Sequence, residues 1–299
     1  VTTTGLLLHL CRQLLDPDAQ PLGCHAGHDH TSLLRASTRH GEVIVKAHRS
    51  GARHAQELRA YHRWVPALGD HAPRLLAEID DPPAIILTAL AGQPVAELDL
   101  PPATERDVLR QAGALLRTLH RAEAPHAEPD MTAWLAARGE VWLHLAQPIL
   151  PAGKRADIRA HLHALADLGP LPAVPCHLDC TPRNLLRAPD GAISLIDFEH
   201  ARHDLAARDL VRLAHRVWRE RPDLEDAFLA SYGPLSDTDR QVIEHCTHLD
   251  TLTAAVRATG GNIPADQPAP QPRGNSKEPS TPIPARAHPA ARITGRSPP

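Results

Sequence analysis

The chain has 299 residues, enough to build one large domain or two lobes around a sizeable core. Its 32 Lys and Arg nearly offset 35 Asp and Glu, and a formal net charge of −3 leaves no electrostatic footprint for a nucleic-acid partner. Apolar runs fall well short of a membrane span, and five cysteines without framework spacing point to a reducing, cytoplasmic setting rather than to disulfides.

Leu6, Leu7, Leu8, Leu10, Leu14 and Leu15 mark a helical stripe over residues 1–15, with no basic stretch or small-residue cleavage site of a signal peptide. Residues 22–32 read as a loop that holds Gly27 and several histidines. Two extended segments follow, 32–38 and 42–48, joined by a turn at His40-Gly41; the second is β-branched and carries Lys46. Leu58, Tyr61, Val65 and Leu68 then repeat at helical spacing, so 53–68 is expected to be helix, with Glu57 early in it and Gly69 as its stop.

Strands are expected at 74–80 and 84–87, around the turn Asp80-Asp81-Pro82-Pro83. Residues 88–95 have no regular period and read as a connector. From Thr104 the chain turns helical, with a capping-box pattern at Thr104 and Asp107. Further helices are expected near 131–146, 153–168, 205–218, 223–232 and 237–258. The last is framed by Ser236 and Asp239 at capping spacing and by Gly260-Gly261. Strands followed by helices argue an α+β fold rather than a parallel α/β sheet. The expected division is an N-terminal lobe at 1–90, a small antiparallel sheet with one packed helix, and a helical lobe at 91–260. A Pro-rich tail at 261–299, without apolar period, reads as disordered.

The helical lobe is interrupted by residues 174–199. His177, Asp179 and Asn184 fall in a short polar segment, and the turn Ala188-Pro189-Asp190-Gly191 folds Leu185-Leu186 back on Ile193–Ile196. Antiparallel pairing then brings Asn184, at the start of one strand, beside Asp197, at the end of the other. An amide and a carboxylate so placed suit a half-site for Mg²⁺, against the plainer alternative of a turn-capping Asn and a solvated strand-end Asp. Asn184 is the only asparagine before Asn262, which favours the first. Lysine is as scarce, occurring at 46, 154 and 277. Lys46, on a strand with Glu57 on the next helix, fits a cation that contacts nucleotide phosphates better than it fits an idle surface lysine.

The pattern His177-x-Asp179-x-x-x-x-Asn184, followed by Ile196-Asp197-Phe198-Glu199, resembles the signature of the aminoglycoside phosphotransferase family, small-molecule kinases with a protein-kinase-like fold. The resemblance spans about residues 20–257 and implies a two-lobed enzyme that uses ATP or GTP with Mg²⁺. It implies Asp179 as catalytic base, Asn184 and Asp197 as metal ligands, and Lys46 with Glu57 at the phosphates. Thr31 and Ser32 would lie in a glycine-poor phosphate loop, the backbone at Thr88 and Leu90 would meet the adenine, and His177 and Asp209 would support the catalytic loop. The implied acceptor is a hydroxyl of a small polar molecule, foremost an aminoglycoside-type antibiotic. A choline- or homoserine-like metabolite kinase, and a non-catalytic nucleotide-binding protein, are the alternatives; the oligomeric state stays open. Cys176-His177…Cys180 and His245-Cys246…His248 lack a second ligand pair at zinc-finger spacing.

Overall fold

The computed structural model describes residues 3–26, 32–126 and 130–258. Thr31 and the Pro-rich tail lie outside them. Helix α1 (Thr3–Leu14) precedes strands β1 (Gln20–Ala26), β2 (Ser32–Thr38) and β3 (Gly41–Ala47), helix α2 (Gly51–Arg63), and strands β4 (Leu75–Ile79) and β5 (Ala84–Thr88). The sheet runs β1-β2-β3-β5-β4, antiparallel throughout. Its alternation decides where the chemistry goes. Val43 and Val45 of β3, with Ala84 and Ile86 of β5, pack under Leu7, Leu10 and Cys11 of α1. Ile44, Lys46, Ile85 and Leu87 therefore face the other way, towards the core shared with the helical lobe.

Two expectations fail here. The stretch read as a loop from residue 22 is strand β1, whose alternation is hidden by a register shift between Pro21 and Gly23. The helix expected to run to Leu68 stops at Arg63. Pro66 lacks the N–H to continue it, and Val65–His71 forms a 3₁₀ segment kinked at Gly69, φ 58°. Val65 and Leu68 still reach the core, from that segment.

The second lobe opens with the two-residue strand β6 (Gln93–Pro94) and helices α3 (Pro102–His120), α4 (Met131–Leu145) and α5 (Ala152–Asp167). Strands β7 (Ala173–Cys176), β8 (Leu185–Arg187), β9 (Ile193–Leu195) and β10 (Arg202–Leu205) follow, then a single turn α6 (Val211–Leu213) and helices α7 (Pro222–Tyr232) and α8 (Asp237–Ala258). β8 and β9 make the expected hairpin, and β6 adds a third strand to it. Gly92 permits that docking: its φ is 125°, and a Cβ there would sit 2.7 Å from the Arg187 carbonyl oxygen.

The capping box expected at Thr104 is not used, because the Pro101-Pro102 pair starts α3 two residues earlier and Asp107 turns to Arg110 and Gln111. At α8 the box forms: Asp239 N–H donates to Ser236 Oγ at 3.1 Å, and Ser236 N–H to Asp239 Oδ2 at 2.9 Å. The helix expected over 205–218 is broken into β10, a 3₁₀ turn at Ala206–Leu210, α6 and a π turn at Ala214–Trp218. Buried Asp204 holds this path, accepting from the Leu205 N–H and from Arg202 and Arg208. A second core joins α4, α5 and α8. Among the described residues no helix is long and apolar enough to cross a membrane.

Candidate active site

Lys46 points from β3 into the crevice between the lobes. Its three N–H donors meet three carboxylates: Asp197 at 2.7 Å, Glu57 at 3.0 Å and Glu199 at 3.1 Å. Glu57 is fully buried and also accepts from His48 Nε2 at 2.5 Å. The short Lys46-to-Glu57 interval is bridged because α2 starts at Gly51 and packs back across the sheet. Burial works against the Lys46 charge, but Glu57, Asp197 and Glu199 outweigh it and hold the ammonium above its ordinary range. Asp197 shifts down, the nearby Lys46 overriding the burial that would raise it. Glu199 shifts up, because there burial prevails over Lys46. The Asp197 side chain keeps 37% of its surface, whereas Glu57 keeps none, so Asp197 is the member of the cluster open to a ligand.

Beside this cluster, β7 delivers the loop 177–184. The backbone N–H groups of His177 and Leu178 both donate to Asp209, at 2.7 Å from His177, and His120 Nε2 reaches the same carboxylate at 2.9 Å. Burial would raise Asp209, but the His120 hydrogen bond and neighbouring charge hold it below its usual value. Asp209 makes these contacts from the 3₁₀ turn Ala206–Leu210, not from the helix expected there. Anchoring of Leu178 matters because this leucine adopts φ 63°, a left-handed conformation costing about 1–2 kcal/mol outside glycine. The His177 ring lies between the Ile196 carbonyl, 2.9 Å from Nε2, and the Asp179 N–H, 3.2 Å from Nδ1. Nε2 thus donates to the Ile196 carbonyl, and Nδ1 accepts from the Asp179 N–H, tying the ring to both the loop and the hairpin.

Asp179 is buried near the start of this loop. Its Oδ2 accepts from Asn184 Nδ2 at 2.8 Å and Arg183 Nη2 at 2.6 Å, and its Oδ1 accepts from Arg212. Asn184 also donates to the Asp179 carbonyl, which leaves its own Oδ1 as a free acceptor direction. The Ile196 N–H donates to the Asn184 carbonyl at 3.0 Å, one step beyond the Leu185–Leu195 pair, so Asn184 and Asp197 flank the same end of the hairpin.

Ser32 opens β2 opposite Ala47, next to Lys46 on the neighbouring strand. The Thr88 N–H is spent on the Arg74 carbonyl at 2.9 Å, so any connector contact from Thr88 falls to its carbonyl. Leu90 lies two residues past β5. Burial pushes the Cys176 and Cys180 thiols up, and Cys246 up to about 12. Sequence reasoning passed over Glu199, Arg183 and Arg212. Glu199 stood within the quoted motif and Arg183 lies one turn from Asp179, but nothing local marks Arg212, which arrives through tertiary packing.

A cleft of about 420 Å³ opens beyond Asp179, lined among others by Thr181, Arg183, Arg212, Asp250 and Arg257.

A sheet-rich lobe and a helical lobe, with a buried lysine cluster beside a His-x-Asp loop, define a kinase-like phosphotransferase fold. The sequence pattern of the phosphotransferase enzyme family matches residues 22–245, and the chain belongs to that family, as a small-molecule phosphotransferase acting on hydroxyl groups. Choline kinase LicA from Streptococcus pneumoniae superposes with a TM-score of 0.60 at 16% identity, over 88% of this chain and 93% of that one. Macrolide 2'-phosphotransferase MphH from Brachybacterium faecium gives 0.61 at 16%, over 86% and 92%. Aminoglycoside phosphotransferase APH(3'')-Id from Streptomyces rimosus gives 0.54 at 21%, over 85% and 99%. At such identities the likeness is one of fold. A comparison with curated protein sequences found no match.

Proposed function

We propose that the chain transfers the γ-phosphoryl group of ATP or GTP to a hydroxyl of a small polar molecule. The observation that carries this reading is the Lys46–Asp197 contact at 2.7 Å, which joins two residues 151 apart in sequence beside the Asp179–Asn184 pair. Asp179 orients the acceptor hydroxyl and takes its proton. As the hydroxyl oxygen bonds to the γ-phosphorus, the bond to the β,γ-bridging oxygen breaks and the nucleoside diphosphate leaves. Lys46, held by Glu57, contacts the phosphates from the 1–90 lobe; Ser32 approaches them from the start of β2, and the Thr88 carbonyl and Leu90 backbone meet the base. Thr31, expected to share the role of Ser32, lies outside the described residues. His177 and Asp209 keep the loop in place. Neighbouring structures named as AMP and ADP complexes support a nucleotide on this fold.

The residues present fit Mg²⁺. Three carboxylates around one lysine leave a surplus of negative charge, and Asn184 Oδ1 and the part-exposed Asp197 carboxylate are hard oxygen donors. Asn184 and Asp197 would hold the ion, which when bound supplies charge neutralisation on the phosphates. A cytoplasmic location accords with the free cysteines.

The test is Mg²⁺-dependent ADP release across a panel of acids, neutral polyols, choline, homoserine, aminoglycosides and macrolides. Asp179→Asn is expected to lower turnover by about 10²–10⁴ while nucleotide binding persists. Undiminished turnover in that variant would sink the assignment of Asp179. A non-catalytic nucleotide-binding role has one observation in its favour: both Asp179 oxygens are covered by arginines. Nucleotide binding with no turnover of any acceptor would decide for it.

A further inference from the structure

The cleft beyond Asp179 is basic. Four arginines line it, 183, 212, 216 and 257, against two acids, Asp179 and Asp250. Arg183 is committed to Asp179, and Arg212 bridges Asp179 and Asp250, reaching the latter at 3.5 Å. Arg216 shares Asp250 at 3.5 Å. Arg257, exposed on the last turn of α8, has no ion pair among the described residues. On the same wall Thr181 Oγ1 is buried without a hydrogen-bond partner. A cleft for a polycation would show the reverse: surplus carboxylates and no unclaimed guanidinium.

We infer that the acceptor carries an oxyanion, a carboxylate or a phosphate ester, beside the hydroxyl that reacts, and that Arg212, Arg216 and Arg257 receive it. Guanidinium groups suit this, since their planar forks pair with both anions. The inference rests on the phosphotransferase reading and names its substrate class. It also gives the Arg212–Asp179 contact a purpose. An incoming oxyanion competes for Arg212 and frees Asp179 Oδ1 for the hydroxyl, so the base is uncovered when the right acceptor is present. Thr181 Oγ1 supplies a hydrogen bond that the protein alone leaves unmade. An aminoglycoside, with several ammonium groups, would meet like charge from the lining arginines.

Calorimetry on the full chain, without nucleotide, reads the cleft independently of turnover. The probes are gluconate and glucose 6-phosphate as the two kinds of oxyanion, glucose as neutral reference, and glucosamine and kanamycin as cations. At least one anion is expected to bind about tenfold or more tightly than either cation at low salt, with the margin shrinking as salt screens it. The preferred anion tells carboxylate from phosphate ester. Arg257→Glu, an exposed change, should erase or invert the order. Cations binding as tightly as the anions, an order unmoved by Arg257→Glu, or no anion binding up to about 10 mM would each overturn the inference. Loss of Mg²⁺-nucleotide binding or of ADP release would instead count against the phosphotransferase reading, leaving this order of affinities to be judged on its own.

Discussion

Around Lys46, three carboxylates share one ammonium in a site nearly closed to water, whereas beyond Asp179 three of four guanidinium groups share two carboxylates around an open cleft. Both are dense in charge, but the surplus has opposite sign. The closed side gathers acids because a buried lysine needs them. The open side keeps arginines partly hydrated, where an unmatched cation costs little until an anion arrives. Asp179 stands between the two, and its neighbours decide which side it answers to.

The comparison breaks most severely at Lys46. Lys46→Met leaves Glu57, Asp197 and Glu199 without their cation, and urea denaturation should show a loss of about 3–5 kcal/mol. A loss under about 1 kcal/mol would mean that the acids relax or protonate freely, and that the closed side is not held by charge. Next comes Asp209→Asn, expected to cost about 1–3 kcal/mol and to lower kcat with the nucleotide dissociation constant unchanged. Its amide cannot accept from His177 N–H, Leu178 N–H and His120 together, so only the Asp179 loop should loosen.

His200 lies on the border of the two sides, its Nδ1 3.1 Å from Arg53 Nη1. Burial first, then Arg53, brings it down to about 4. A depressed histidine contributes stability above its unfolded value near 6.5, and that contribution fades as pH falls towards 4. His54 and His203 shift in the same direction. Between pH 7 and pH 5, His200→Asn should therefore lose about 1–2 kcal/mol less than the parent chain, read by denaturation at each pH. Smallest is Leu178→Gly. Relief of the left-handed backbone is opposed by the greater freedom of glycine in the unfolded chain, and the net change should stay within about 1 kcal/mol.

What could be read from the sequence follows from how local each signal is. The β8–β9 hairpin, the apolar stripes of α3 and α8 and the Lys46 strand announce themselves within a few residues. Asn184 was conspicuous because the chain otherwise avoids asparagine. β1 was lost to Pro21 and Gly23, which carry no alternation, and β10 to Leu205, whose spacing suits a helix as well as a strand. The four-residue β7–β10 ribbon is held by Asp204, a buried carboxylate no periodicity detects. Glu199 and Arg212 depend on partners 153 and 33 residues away respectively, so their pairing is a property of the folded chain alone. The sign of charge in the cleft beyond Asp179 belongs to the same class, since its arginines come from the Asp179 loop, α6, the π turn and α8.

The docking of β6 on β8 has a mechanical consequence. Ala89 N–H is tied to the Glu42 carbonyl on the sheet side, and Gln93 is already paired with Arg187 on the hairpin side. Any rotation of one lobe against the other must pass through Leu90, Ala91 and Gly92. The pivot is therefore three residues long. A lever hinged there swings Lys46 while the hairpin bearing Asn184 and Asp197 stays with the fixed arm, so opening the crevice and parting Lys46 from Asp197 are one movement.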